Sequence, residues 1–240
     1  MTAPIHLYYF NSPNGRKITI MLEELGVPYT LIPISMSRRD QYRPDYSVIS
    51  PNNKMPAIVD PEGPEGKAVP IFESGAILKY LAEKYQRFYG ASWAERVKID
   101  EWLFWQVGGF GPLLGQKEHF IGKDREPIPY AVKRYTDETQ RLYGVLDGQL
   151  SRQAARGIDF VAGDGFSIAD IAIFGWARKW DDLKVSRADF PMVARWHDSI
   201  DARPAVQRAL ALAASIPRPA PDPGEALARD LELLGVRLGA

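Results

Sequence analysis

The spacing of apolar residues changes once along this chain. In the first part, short runs rich in aromatic and aliphatic residues are bounded by Gly, Pro, Asn and Ser, a pattern typical of β-strands. From about residue 92 onward, apolar positions recur every three or four residues over long stretches, which predicts helices. We therefore expect a small α/β domain followed by an all-helical domain.

The first part predicts a β-α-β unit followed by a β-β-α unit. Because a crossover helix joins the first two strands, they should be parallel, and the loop 61–66, rich in Gly and Pro, predicts a hairpin between the last two. This order is that of a thioredoxin-like domain, predicted to span residues 1–86. The predicted strands are 5–9, 29–34, 57–60 and 69–72, with helices ending near 25 and 85.

The second part predicts an all-α C-terminal domain over residues 92–215. Ser167 and Asp170 have the spacing of a capping box, which marks the start of a helix and is a folding signal, not a binding site. After residue 216 a Pro-rich stretch and a short amphipathic pattern at 225–234 predict a C-terminal extension, 216–240, whose packing the pattern leaves open. The predicted helices are 92–113, 129–151, 167–180, 191–202 and 204–214.

Composition narrows the functional classes. The 30 basic and 30 acidic residues balance, which argues against nucleic-acid and membrane-surface partners. No apolar run is long enough for a membrane span and no signal peptide is evident, so we expect a cytoplasmic protein. The chain has no cysteine, and its three histidines lack metal-ligand spacing, so we expect no disulfide and no metal. Any thiol chemistry must therefore use a thiol that a ligand supplies.

Two short stretches predict a pocket for a small charged peptide. Pro56 directly precedes an apolar strand, where a turn can hold a cis bond and leave the backbone of Met55 to pair with an extended ligand. Glu73 and Ser74 lie where the next strand ends and a helix begins. They offer an acceptor for an ammonium beside a helix N-terminus that attracts a carboxylate.

The turn after the first strand is a candidate for stabilising a ligand thiolate. Ser12 and Asn14 are two residues apart at a helix start, where side-chain donors and the helix dipole lower the pKa of a nearby thiol. The same residue types also form an ordinary turn and N-cap without any ligand, and spacing alone favours that interpretation. Tyr8 and Tyr9 are rival thiol activators, although strand alternation makes them packing candidates.

These stretches resemble the soluble glutathione transferases. The finer match is to the bacterial Nu-class proteins, which are related to the yeast prion-type nitrogen regulator, and the resemblance covers roughly residues 5–212. It rests on segments 12–15, 50–59, 73–76, 102–109, 128–130 and 134–135. The resemblance implies a homodimer with the glutathione transferase fold, and glutathione as a co-substrate without a metal.

The resemblance also implies roles for individual residues. Asn14 and Ser12 would contact the sulfur of glutathione, with serine standing where the group usually has threonine. Glu73 would bind the γ-glutamyl ammonium and Ser74 its carboxylate, while Met55, followed by Pro56, would pair with the cysteinyl backbone. The remaining implied contacts, to the glycyl end, a second glutathione or the bound peptide, are Gln41, Asn53, Lys54 and Arg134.

The implied activity is glutathione-dependent reduction of small disulfides. The thiolate of bound glutathione would attack the disulfide, and a second glutathione would resolve the mixed disulfide. Conjugation of glutathione to electrophiles or reduction of hydroperoxides is an alternative within the same fold. A non-catalytic regulatory module with this fold is a third possibility, because fold does not determine function.

Overall fold

The computed structural model describes residues 3–122, 126–217 and 220–238, and it divides into two compact units. The sheet unit contains the residues up to 81 together with those from 204 onward, and the helical unit contains residues 82–203. None of the helices in these described ranges has the length and apolar character needed to span a membrane.

The sheet unit is built on a four-stranded mixed sheet with the strand order β2-β1-β3-β4. Parallel pairing joins β1 to β2, and antiparallel pairing joins β3 to both β1 and β4. This topology confirms the predicted thioredoxin-like order. The strands are β1 (Ile5–Tyr9), β2 (Tyr29–Pro33), β3 (Ala57–Asp60) and β4 (Val69–Phe72).

Ten α-helices lie in the described residues. They are α1 (Pro13–Leu25), α2 (Pro44–Ile49), α3 (Ser74–Tyr85), α4 (Trp93–Trp105), α5 (Gly111–Phe120), α6 (Pro129–Ala154), α7 (Ile168–Ala177), α8 (Pro191–Asp201), α9 (Pro204–Ser215) and α10 (Gly224–Leu233). With the sheet in the first unit and helices α4 to α8 in the second, the two-part fold class predicted from the apolar spacing is confirmed.

The structure assigns α9 to the sheet unit, whereas the sequence grouped residues 204–215 with the helical domain. The reason is packing, because α9 lies against α1. An ion pair between Arg208 Nε and Glu23 Oε2, 2.7 Å apart, joins the two helices at the surface. Spacing within α9 predicted a helix but carried no information about its partner.

The C-terminal extension also packs on the sheet unit. Helix α10 lies against α2, and Leu227 is fully buried in the core beside Tyr8 and Tyr46. Before the helix, Arg43 pairs with Asp222 at 3.3 Å. The extension is therefore part of the folded sheet unit.

Helix α7 forms the buried centre of the helical unit, and nine of its ten residues are buried. The predicted capping box at its start is confirmed, with the Ser167 amide donating to Asp170 Oδ2 at 3.0 Å. The other oxygen of Asp170 accepts from the Val161 amide and from Trp196 Nε1, both at 2.9 Å. Helix α8 and the loop before α7 are tied to this carboxylate.

The structure corrects the single helix predicted over 92–113. Helix α4 ends at Trp105, a π-helical turn follows over Gln106–Phe110, and α5 continues to Phe120. Gly108 and Gly109 lie within this turn, and a Cβ added at either would meet no atom of the described chain within 4 Å. The wider turn interrupts the three- and four-residue spacing that predicts an α-helix.

Candidate functional site

The turn between β1 and α1 has the geometry of a helix cap. Ser12 is the N-cap residue of α1, and its Oγ accepts a hydrogen bond from the Gly15 amide at 3.1 Å. This confirms the capping role that the sequence favoured. Because a hydroxyl accepts and donates at once, Ser12 keeps its proton for a second acceptor. Asn14 lies one residue into the helix and, like Ser12, is half-buried.

The bond between Met55 and Pro56 is cis, as predicted. Strand β3 begins only at Ala57, so Met55 lies outside the ladder of the sheet. The turn before it is fixed through the carbonyl of Lys54, which accepts from the hydroxyls of Tyr46 at 2.7 Å and of Ser50 at 2.9 Å. Buried hydroxyls thus hold in place the segment that was predicted to pair with a peptide.

Two predicted binding residues have left-handed backbone conformations that non-glycine residues seldom adopt. Asn53 has φ 54° and Glu73 has φ 69°. The side chain of Asn53 donates to Ser47 Oγ at 2.7 Å, which holds the turn, while Glu73 is exposed at the start of α3. Such conformations cost about 1–3 kcal/mol each and cluster at ligand-binding positions.

Ser74 is buried at the N-terminus of α3 and accepts a hydrogen bond from Lys17 Nζ at 3.1 Å. Lys17 is 1% exposed, and burial lowers its pKa to about 7, partly opposed by the charge of Glu73. Sequence reasoning missed Lys17. The available signal was its place directly before the run 18–22, which is apolar except for Thr19.

The rival tyrosines are occupied elsewhere. Tyr8 is fully buried, and its hydroxyl donates to Asp230 Oδ2 of α10 at 2.7 Å. Burial, followed by the bond to this carboxylate, raises the pKa of Tyr8 above its ordinary value. Tyr9 is 1% exposed, and burial raises its pKa as well. The Tyr9 hydroxyl donates to Asn11 Oδ1 at 3.4 Å, so both hydroxyls have acceptors within the sheet unit.

The residues predicted for the glycyl end differ in environment. Gln41 is 5% exposed, and its Oε1 has no hydrogen-bond partner among the described residues. A buried polar atom of this kind fits a ligand donor. The side chain of Lys54 is exposed and lies next to Met55 in sequence.

Arg134 lies in the helical unit and is exposed on α6. It lines a cavity of about 550 Å³ with Tyr130 and Lys133. The other nine predicted residues belong to the sheet unit, and the contact of Arg134 with a bound peptide stays a prediction. Within the described ranges, His, Asp and Glu form no cluster of three that could hold a metal ion.

Two models of known protein families match this chain. Residues 11–84 match the family model for the N-terminal domain of glutathione S-transferase, and residues 119–204 match that for its C-terminal domain. The chain is 46% identical over 207 residues to the disulfide-bond oxidoreductase YfcG of Escherichia coli K12. This match covers 86% of this chain and 94% of YfcG.

Two solved structures with bound ligands are also similar. A glutathione transferase family member from Pseudomonas fluorescens, with two glutathiones bound, has a TM-score of 0.78 and 40% identity, and the match covers 86% of this chain and 92% of that chain. A glutathione transferase from Pseudomonas putida, with one glutathione disulfide bound per subunit, has a TM-score of 0.79 and 40% identity. This match covers 86% of this chain and 90% of that chain.

Proposed function

We propose, because this chain belongs to the glutathione S-transferase family, that it is an enzyme that uses glutathione to reduce small disulfides. A relative with 46% identity is named a disulfide-bond oxidoreductase, and a similar solved structure contains glutathione disulfide, the oxidised product of such a reaction. The chain has no cysteine, so both reducing thiols must come from glutathione. A homodimer and a cytoplasmic location stay predictions.

The occupied hydroxyl of Tyr8 is the observation that carries the mechanism. Since Tyr8 donates to Asp230 in the buried core, we assign stabilisation of the thiolate to groups that follow β1. Ser12 and Asn14 lie there at the N-terminus of α1, where the helix dipole also favours negative charge. Lowering a thiol pKa by about two units, from roughly 8.5, makes most of it thiolate at neutral pH.

The peptide part of glutathione fits the remaining residues of the sheet unit. Met55 would exchange backbone hydrogen bonds with the cysteinyl residue, as an added edge strand does. Glu73 would accept from the γ-glutamyl ammonium, and Ser74 with the first amides of α3 would donate to the carboxylate. The other contacts in this proposal are made by Gln41, Asn53 and Lys54, and a contact by Arg134 stays a prediction from the resemblance.

The reaction consumes two glutathiones for each disulfide. The thiolate of the first attacks one sulfur of the substrate, forming a mixed disulfide and expelling the other sulfur as a thiolate that takes a proton from water. The thiolate of the second attacks the glutathione sulfur of the mixed disulfide and expels the remaining substrate thiol. The products are glutathione disulfide and two thiols, and the protein supplies position and electrostatics without a covalent intermediate.

Turnover of hydroxyethyl disulfide with glutathione tests the proposal. A hydrogen bond to a charged group contributes about 1.5–3 kcal/mol, so Asn14→Ala should lower kcat/KM by roughly tenfold or more. The matched control is Asn11→Ala, which removes an exposed asparagine from the same turn, where it accepts from Arg16 at 3.1 Å. The control should keep its activity within about twofold.

Two results would contradict this assignment. Full activity of Asn14→Ala would remove Asn14 from the mechanism, and a large preference of the wild-type protein for chlorodinitrobenzene over the disulfide would favour conjugation. Calorimetry that detects no binding of glutathione or its disulfide would instead favour a non-catalytic module.

A further inference from the structure

Lys17 is a buried cation to which the proposed reaction gives no part. It lies in the second turn of α1, is 1% exposed, and donates from Nζ to Ser74 Oγ at 3.1 Å. Burying an ammonium group carries a large desolvation cost unless the group is paired, hydrogen-bonded or neutralised. The contact with Ser74 places Lys17 behind the N-terminus of α3.

The hydrogen bond from Lys17 determines what Ser74 can do. A protonated lysine has only donors, so the oxygen of Ser74 accepts from it, and the hydroxyl proton is directed to another acceptor. The first amides of α3 are donors as well. A ligand at this helix end therefore meets donors backed by a buried cation, an arrangement that suits a carboxylate.

We propose that Lys17 is a positioning residue for the γ-glutamyl carboxylate of glutathione, which it serves by holding Ser74 as a donor and by supplying a positive charge behind it. This inference rests on the proposed function, because it assumes that glutathione binds at Ser74. It adds a positive side chain to the predicted contacts of the γ-glutamyl carboxylate, which otherwise consist of Ser74 and the first amides of α3.

The charge requirement predicts an affinity that depends on pH. Burial lowers the pKa of Lys17 to about 7 in the ligand-free protein, so both of its forms are populated near neutrality. The charge of Glu73, directly before α3, acts in the opposite direction on this pKa, whereas Arg16, the charged neighbour on the helix of Lys17, donates to Asn11 at the surface. A bound carboxylate favours the ammonium form, so binding above pH 7 must be accompanied by uptake of a proton.

Calorimetry on the wild-type protein tests this directly. The probe is S-methylglutathione, which has no thiol to titrate, compared with its analogue in which 4-aminobutyrate replaces the γ-glutamyl group and so lacks the carboxylate. The Kd of S-methylglutathione should rise about tenfold from pH 6 to pH 8, as expected for one group with a pKa near 7. Titrations in two buffers of different ionisation enthalpy should show uptake of close to one proton at pH 8. The analogue should show neither effect.

Two variants separate the charge from the hydrogen bond. Lys17→Met removes both, and should weaken binding of S-methylglutathione at pH 6 about tenfold while changing kcat at saturating glutathione by less than twofold. Lys17→Gln restores a neutral donor, and its affinity should match that of the wild type at pH 8 with little dependence on pH. The control Lys67→Met changes a lysine whose side chain is 80% exposed and should behave as wild type.

The outcomes distinguish this inference from the proposed function. If the wild-type protein binds S-methylglutathione and reduces disulfides, but shows no proton uptake and no change of Kd with pH, Lys17 has no such role. Unchanged affinity in Lys17→Met leads to the same conclusion. If the wild-type protein binds neither S-methylglutathione nor glutathione, both proposals are wrong. The number of protons that the wild-type protein takes up on binding S-methylglutathione tests the role of Lys17 even if a variant fails to fold.

Discussion

Asp230→Ala is expected to release the C-terminal helix from the sheet unit. The carboxylate of Asp230 is 0% exposed and accepts from two buried donors, His6 Nδ1 at 2.6 Å and Tyr8 Oη at 2.7 Å. Alanine would leave both donors without this acceptor. Each buried donor left unsatisfied costs about 1–3 kcal/mol, so the combined cost is roughly 2–6 kcal/mol.

Hydrogen exchange measured by mass spectrometry localises this effect. Amides of α10 exchange through local opening, and a loss of about 3 kcal/mol corresponds to exchange roughly 150-fold faster. The matched control is Glu232→Ala, which removes an exposed carboxylate from the same helix and should change exchange little. Asp230→Asn keeps the shape and one acceptor oxygen, so its exchange rates should lie between those of the wild type and the alanine variant.

The result that would refute this reasoning is equally specific. If the α10 amides exchange at the same rate in the Asp230→Ala and Glu232→Ala variants, the carboxylate of Asp230 does not hold the helix on the sheet unit. If the α10 amides of the wild-type protein are as unprotected as those of an unfolded peptide, the extension does not pack on the sheet unit.

Two further predictions follow from buried polar groups. Tyr8→Phe should keep disulfide reductase activity within about threefold, since the hydroxyl of Tyr8 donates to Asp230; a loss comparable to that in Asn14→Ala would show that it acts on the thiolate. Burial lowers the pKa of Lys17 to about 7 in the folded protein, against about 10.4 when unfolded, so the unfolded state binds more protons between these values and stability should rise with pH there. Thermal unfolding of the ligand-free protein should show a Tm that increases from pH 7 to pH 9 more in the wild type than in Lys17→Met, and parallel curves would contradict it.

Local signals were sufficient to predict most of the elements. Gly26 ends α1 with φ 70°, and Ser167 with Asp170 starts α7, because each signal acts within a few residues of the chain. The cis bond before Pro56 was predicted for the same reason. The π-helical turn at Gln106–Phe110 was not, since its glycines lower helix propensity without indicating which wider turn results.

The contacts that were missed join residues far apart in sequence. Asp230 and His6 are separated by 224 positions, and Lys17 and Ser74 by 57. In both cases a charged residue interrupts or begins an apolar pattern, as Asp230 does between Leu227 and Leu231. Such a pattern indicates a buried charge but does not name its partner, because periodicity describes one helix face at a time.

The C-terminal extension and the Ser12–Asn14 turn are linked through β1. His6 and Tyr8 are polar groups on a buried strand, and a strand in a hydrophobic core requires acceptors for them. Asp230 meets that requirement for both, which makes Tyr8 a core residue even though it lies at the end of β1, four residues before Ser12. The sequence left the tyrosine and the Ser12–Asn14 turn as competing candidates, because the acceptor of the tyrosine hydroxyl lies more than 200 residues away. A protein of this family that lacks the tail carboxylate would have to satisfy the same hydroxyl in another way.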